Sequence, residues 1–300
     1  MSHEVNTIFI ICGPTAVGKT SFAIALATYL QTEIISADSR QCFSELGLAV
    51  AKPSIEELKK VTHHFIDSHS IAEEINAGIF EHYAMQKVTA IFEKHQSAVM
   101  VGGTGLYIKA FCEGMDTMPV IDPILRDFIK QTYTEKGMPW LQKQIAMEDP
   151  LFWEQAEQEN PQRLMRALEM IRSTGISITQ FRKSEKKSRP FKIIKIGLEL
   201  PREILNQRIN DRVDQMVNEG LLKEAEQLFS FRNNNALQTV GYQELFDYME
   251  GKTQLAKAIE LIKQHTRQYA KRQMTWFKKD LEINWFDARN MEVEKLKIKN

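Results

Sequence analysis

Hydrophobic residues open the chain in the rhythm of alternating strands and helices. Ile8–Cys12 is a wholly apolar run rich in branched side chains, closed by Gly13 and Pro14, and reads as a strand buried on both faces. Beyond Lys19, the positions Phe22, Leu26 and Leu30 recur at helical spacing. Glu33–Ser36 is a second strand, His64–Ile66 a weaker third, Gly78–Glu93 a helix and Ala98–Val101 another buried strand. Strands separated by helices predict a parallel sheet covered on both faces. From about residue 116 to 190 the pattern is helical throughout. Phe191–Leu200 then returns as a strand, a long helix covers Leu255–Phe277, and Asn284–Asp287 reads as a last short strand. The expected fold is an α/β core, residues 1–115 and 191–300, with an all-helical insertion at 116–190. The basic stretch Arg182–Pro190 marks the second boundary as a solvated hinge.

Composition narrows the function classes only modestly. At 43% hydrophobic and 26% charged residues the chain is an ordinary soluble globular protein, and its zero formal net charge leaves any argument about polyanions to local clusters. Cys12, Cys42 and Cys112 are too few and too scattered for a disulfide framework or a zinc knuckle, which points to a reducing cytoplasm. The polar start MSHEVNT runs directly into the first strand, and no run of eighteen apolar residues follows; neither a signal peptide nor a membrane span is expected.

The chemistry starts at Gly13-Pro14-Thr15-Ala16-Val17-Gly18-Lys19-Thr20, which matches G-x-x-x-x-G-K-[ST] between a strand and a helix. Chance would produce that match on the order of once in a hundred chains of this length. Glycines let backbone amides approach an anion, and the helix N-terminus adds partial positive charge. Lys19 adds a full charge, and Thr20 offers a hydroxyl to Mg²⁺. A polyphosphate is therefore the expected ligand, with ATP or GTP hydrolysis the default reaction. An NTPase usually ends a second apolar strand on a metal-binding acid. Here Ala98–Val101 runs instead into Gly102-Gly103-Thr104, and the acid at a strand end is Asp38. Carboxyl ends of parallel strands face the ligand crevice, so Asp38 is expected beside the phosphate loop, although capping the next helix is an alternative job for it. Arg208 and Arg212 lie one helical turn apart on one face, and either can reach inward. Leu261–Lys279 holds Lys263, Arg267, Lys271, Arg272, Lys278 and Lys279 without an acid, interleaved with Tyr269, Trp276 and Phe277. That is the footprint of a phosphate backbone, or of a solvated helix whose aromatics face the core.

The ordered set of segments resembles the tRNA dimethylallyltransferase (IPP transferase) family over nearly the whole chain. It comprises GPTAVGKT (13–20), IISADSRQ (34–41), AKPS (51–54), VGGTGLYIKA (101–110), PQRLMRALE (161–169), LNQRINDRVDQMVNEGLLKE (205–224), QTVGYQE (238–244) and TRQYAKRQMTWF (266–277). The resemblance implies a P-loop NTPase-like core and transfer of a dimethylallyl group from dimethylallyl diphosphate to the N6 amine of the adenosine 3′ of the anticodon. The loop would then hold the donor's diphosphate with Mg²⁺, where ATP is the more familiar guest. Arg212 matches the family's additional diphosphate contact and Asp38 its catalytic base, suited to an amine whose lone pair is delocalised into the purine. The acceptor must leave its stack to be reached. Residues matching the family's RNA contacts are Asp38, Ser39, Arg40 and Gln41, then Thr104 and Arg126. On an insertion helix they are Gln162, Arg163, Leu164, Met165 and Arg166, with Arg163 and Arg166 sharing a face. Gln238, Thr239, Val240, Gly241, Tyr242 and Gln243 follow, and on the last helix Arg267, Lys271 and Arg272. The partner implied is a tRNA anticodon stem-loop, with the protein a cytoplasmic monomer. The longer eukaryotic members carry a Cys/His zinc finger, whereas this sequence stops at Asn300, so recognition is expected to need no zinc. Other readings are a small-molecule kinase, an adenylate isopentenyltransferase and a non-enzymatic RNA-binding ATPase. The first has no use for the basic last helix, the second none for the large insertion, and the third leaves Asp38 unexplained.

Overall fold

A computed structural model of the chain describes residues 5–182 and 186–293. Lys183–Glu185, inside the basic boundary stretch, lie outside the described residues. The described residues contain six strands in one all-parallel sheet. They are β1 (Thr7–Cys12), β2 (Ile34–Ser36), β3 (His63–His64), β4 (Ser97–Gly102), β5 (Lys192–Glu199) and β6 (Ile283–Asp287), in the spatial order β3-β2-β4-β1-β5-β6. Their burial explains the apolar runs. β1 and β4 sit inside the sheet, and all but their first residues are buried. Side chains from both faces meet helices there, so an alternating pattern would leave polar groups without water.

The chain divides into two compact units, residues 1–113 with 188–300, and residues 114–187. The sheet unit carries α1 (Lys19–Tyr29), α2 (Ile55–Lys60), α3 (Ala77–Phe92) and α4 (Gly105–Glu113) from its first part. Phe22, Leu26 and Ala27 of α1 pack with Phe9 and Ile11 of β1 and Val99 of β4. Asn76 caps α3 by accepting from the amides of Gly78 and Ile79, which fixes its start at Ala77, one residue before the glycine.

The helical unit holds α5 (Pro123–Glu148), α6 (Pro150–Trp153), α7 (Pro161–Thr174) and α8 (Ile178–Phe181). Three of these start with proline behind an Asp or Asn cap, the favoured way to begin a helix. α5 breaks at Gly137, whose φ of 69° and ψ of −168° interrupt it two residues before Pro139. The unit has its own core of Ile129, Leu141, Ile145, Phe152, Leu164 and Leu168. The sheet unit resumes after β5 with α9 (Arg202–Asn218), α10 (Leu221–Leu228), α11 (Tyr242–Met249) and α12 (Leu255–Phe277), then β6. No helix among the described residues is long and apolar enough to cross a membrane.

Candidate active site

Three neighbouring strand ends make the site. β2, β4 and β1 are adjacent in the sheet, and each delivers a functional turn from its carboxyl end, where parallel sheets bind ligands. After β1 comes the phosphate loop. Gly13 has φ of 141°, and a β-carbon there would lie 2.4 Å from the Leu198 carbonyl oxygen, so only glycine can make this turn. Gly18, at φ 106°, leads into α1, and Ala16 also takes a left-handed conformation. The Lys19 ammonium is 2.7 Å from the Pro14 carbonyl oxygen and donates to it. Burial is the main cause that brings the Lys19 pKa down to about 8; the nearby Arg212 charge adds to the depression and Asp38 opposes it.

After β2 comes Asp38. It caps a tight turn of residues 39–42, with no helix following directly. Its Oδ1 accepts from the amides of Arg40 (2.9 Å) and Gln41 (3.3 Å), while Oδ2 accepts no hydrogen bond from the described residues. One oxygen is thus tied to the turn and the other is left without a protein partner among the described residues. Ser36 donates to Gln41 Oε1, and Gln41 Nε2 donates to the carbonyls of Val50 and Ala51. After β4 comes the Gly102-Gly103-Thr104 turn. Thr104 Oγ1 accepts from the Ser39 amide at 3.0 Å, and the Thr104 amide donates to the Ala37 carbonyl, so this turn brackets Asp38 on both sides.

Two adjoining cavities meet here. One, of about 300 Å³, is lined by Lys19, Thr20 and Gly18 with Lys52, Glu57 and Gly103. The other, of about 370 Å³, is more apolar, with Ile209, Val213, Met216, Leu221 and Ile262 from the C-terminal helices. Thr15, Asp38, Ala51, Arg212 and Tyr269 line both. Arg212 donates toward Thr15 Oγ1 (3.4 Å) and the Ala51 carbonyl (3.5 Å), and burial lowers its pKa. Arg208 reaches the Val17 carbonyl at 3.4 Å instead and lines neither cavity. Of the two arginines, Arg212 is the one in the cleft.

Other expected residues distribute unevenly. Ser39, Arg40, Gln238, Thr239, Val240, Gly241, Gln243 and Arg272 line the larger cavity. Tyr242 is fully buried and donates to Glu224 Oε1 at 2.6 Å, and Glu224 also accepts from the amides of Leu48 and Ala49. That carboxylate holds the 48–50 turn against the cleft, a role the sequence reading missed. On α12, Lys263 pairs with Asp214 and Glu260, and Arg267 donates to Asn210 Oδ1. Lys271 and Arg272 point to solvent, Arg272 lying 5.8 Å from the Tyr269 ring. In the helical unit, Leu164 is fully buried and Met165 packs against the same core. Gln162 and Arg163 are exposed, Arg163 pairing with Glu157 at 3.0 Å. Arg166 and Arg126 converge on Glu169, at 3.0 and 3.6 Å. The three thiols offer no alternative chemistry: burial pushes each up to about 12, far from a thiolate at neutral pH.

Residues 41–280 match the sequence model of the IPP transferase family. A tRNA dimethylallyltransferase of Christiangramia forsetii is 49% identical over 94% of this chain and 93% of its own length. That of Cytophaga hutchinsonii is 44% identical over 95% and 94%. The crystal structure of the full-length tRNA isopentenylpyrophosphate transferase from Bacillus halodurans superposes with a TM-score of 0.71 at 35% identity, covering 97% of this chain and 93% of that one. A eukaryotic dimethylallyltransferase acting on tRNA gives 0.77 at 26% identity, over 94% and 74%.

Proposed function

The chain belongs to the IPP transferase family, and from that premise we infer that it transfers a dimethylallyl group from dimethylallyl diphosphate to the N6 amine of a tRNA adenosine, releasing diphosphate. The adenosine is the one 3′ of the anticodon. The observation that carries this reading is the meeting of the phosphate loop and Asp38 in one cleft with an apolar annex.

The smaller cavity takes the diphosphate. Negative charge grows on the bridging oxygen as the allylic carbon departs, and Lys19, Arg212 and the loop amides stabilise it there. The dimethylallyl group lies toward the apolar residues of the larger cavity, out of water. The flipped adenine enters on the Asp38 side, and Oδ2 accepts the amine proton as the new carbon–nitrogen bond forms. Its partner oxygen, tied to two amides, keeps the carboxylate aimed, which is the orientational share of the rate. Ser39, Arg40, Gln41 and Thr104 surround the entering base, and Gln238–Gln243 with Arg272 border its path.

Mg²⁺ fits this site only as a partner of the donor. No cluster of three His, Cys, Asp or Glu among the described residues could cage a metal. The Thr20 hydroxyl lines the phosphate cavity and makes no hydrogen bond to the described residues, and Mg²⁺ characteristically keeps waters and phosphate oxygens around one or two protein ligands. Bound in that way, it supplies further charge neutralisation to the leaving diphosphate. The exposed Arg163 and Lys271, with the half-buried Arg166, hold the RNA backbone.

Incubation with labelled dimethylallyl diphosphate and either bulk tRNA or AMP tests the reading. Label in tRNA is expected. Label in AMP alone would make the protein an adenylate isopentenyltransferase, and label in neither would defeat the transferase reading.

A further inference from the structure

Gln273 carries a role that its place in a basic helix hides. It is a polar side chain in the buried stripe of α12, with 6% of its surface exposed. Its Oε1 accepts from the Thr15 amide at 2.8 Å, and its Nε2 donates to the Gly103 carbonyl at 2.9 Å. One amide group thus joins the phosphate loop after β1 to the turn after β4. The fit is tight on the second side: a β-carbon on Gly103 would lie 2.2 Å from Nε2. A neutral amide can accept from one backbone and donate to the other through two separate atoms, whereas a carboxylate cannot donate and an ammonium cannot accept.

The two turns have different tasks under the function inferred above, on which this argument rests. The phosphate loop holds the leaving group. The Gly103–Thr104 turn brackets Asp38, through Thr104 Oγ1 to the Ser39 amide and the Thr104 amide to the Ala37 carbonyl. We propose that Gln273 is a positioning residue that sets the separation between the diphosphate cradle and the carboxylate that takes the proton. The same helix presents Tyr269, four residues earlier, to both cavities, and lays Trp276, three residues later, against Gly105 at the start of α4. Arg272, the preceding residue, opens into the larger cavity. α12 therefore touches the acceptor side and the donor side through successive turns, with Gln273 at the crossing.

The test is single-turnover transfer from dimethylallyl diphosphate to tRNA at saturating concentrations of both, alongside separate donor and tRNA affinities and thermal melting. Gln273→Met keeps the volume and removes both hydrogen bonds. The expected result is a chemical step slowed about 10- to 100-fold, the scale of a small misplacement of reacting groups, with both affinities within about threefold of wild type. Gln273→Glu keeps the bond to Thr15, loses the one to Gly103 and adds a negative charge near the diphosphate; it should slow the step and also weaken donor binding. Transfer by Gln273→Met at the wild-type rate overturns the proposal. So does a loss accounted for by weaker binding or a smaller folded fraction. If Gln273→Met does not fold, Gln273→Glu at donor concentrations that saturate it supplies the comparison of the chemical step alone, a wild-type rate there overturning the proposal; if neither folds, Gln273 is scaffold and the proposal falls. Wild-type protein run in parallel keeps the two inferences apart. A wild type that leaves tRNA unlabelled defeats the function, whereas active wild type with an equally fast Gln273→Met defeats only this role.

Discussion

Under the proposed function, Asp38 serves the fold and the reaction with one side chain. Its Oδ1 caps the 39–42 turn through two amides, leaving Oδ2 toward the cleft. Asp38→Asn keeps an acceptor oxygen for the cap, and Asn is nearly as good a capping residue. Folding and donor affinity are expected to survive while single-turnover transfer falls by about 10²–10⁴, the usual worth of a general base. Wild-type rates in that variant would place the base elsewhere. Lys19 makes a prediction in pH. Its pKa of about 8 in the donor-free protein, lowered chiefly by burial, means that the ammonium is intact below that pH and lost as pH rises through it. Donor affinity should be flat in the neutral range and decline above about pH 8, approaching tenfold per unit. Bound diphosphate favours the ammonium, so saturated turnover should hold to higher pH than donor binding. Donor titrations across that range check it, with Lys19→Gln expected to be weak and flat. The phosphate loop and Asp38 were legible because motif and strand end are local signals. Which of the two carboxylate oxygens the turn captures was not, since it depends on the fold of the turn itself.

Helices repeat this contrast between spacing and destination. The spacing of apolar residues predicts α12 at Leu255–Phe277, as observed, because a stripe facing a core has a fixed period. The same period says nothing about where polar members of the helix go. Lys263 is taken up by Asp214 of α9, and Arg267 by Asn210 one turn earlier on the same helix. Gln273 falls inside the apolar stripe, where a sequence offers no reason to expect a bridge to residues 15 and 103. Of the basic residues on α12, Lys257, Lys271 and Arg272 are exposed, and Lys271 forms no ion pair with the described residues. On α7, Arg163 is about half exposed and among the described residues pairs with a more exposed Glu157, an interaction of little strength in water. If these side chains hold the RNA backbone, Lys271→Ala and Arg163→Ala should each weaken tRNA binding and lower the salt slope by about one. Affinities measured across a salt series decide it; slopes equal to wild type would make both residues plain solvated surface. The Glu224 carboxylate, with Tyr242 and the 48–50 turn gathered on it, was illegible for a related reason. Its partners lie far apart in sequence, and nothing local distinguishes it from an exposed helical acid.

For the molecule as a whole, the order of apolar runs carried the architecture, since buried parallel strands cannot be written any other way. The all-helical stretch was equally clear from its missing strands, although the compact unit it forms spans 114–187 and keeps Ser188–Pro190 with the sheet. Strand order was not legible: β1 lies between β4 and β5, and no local pattern records that neighbourhood. That order has a consequence for how the protein is made. Synthesis delivers β1, β2, β3 and β4 in turn, and β1 can pair with β4 as soon as Gly102 has emerged. Its other edge must wait for Lys192 and the rest of β5, on the far side of the helical unit. At about 5–20 residues per second, that leaves an apolar strand edge open for roughly ten seconds on the nascent chain. A bare edge of this kind is a template for pairing with other chains. Residues 114–187 have their full sequence before β5 emerges, so chaperones acting on the nascent chain are expected to matter most while the sheet stands half built.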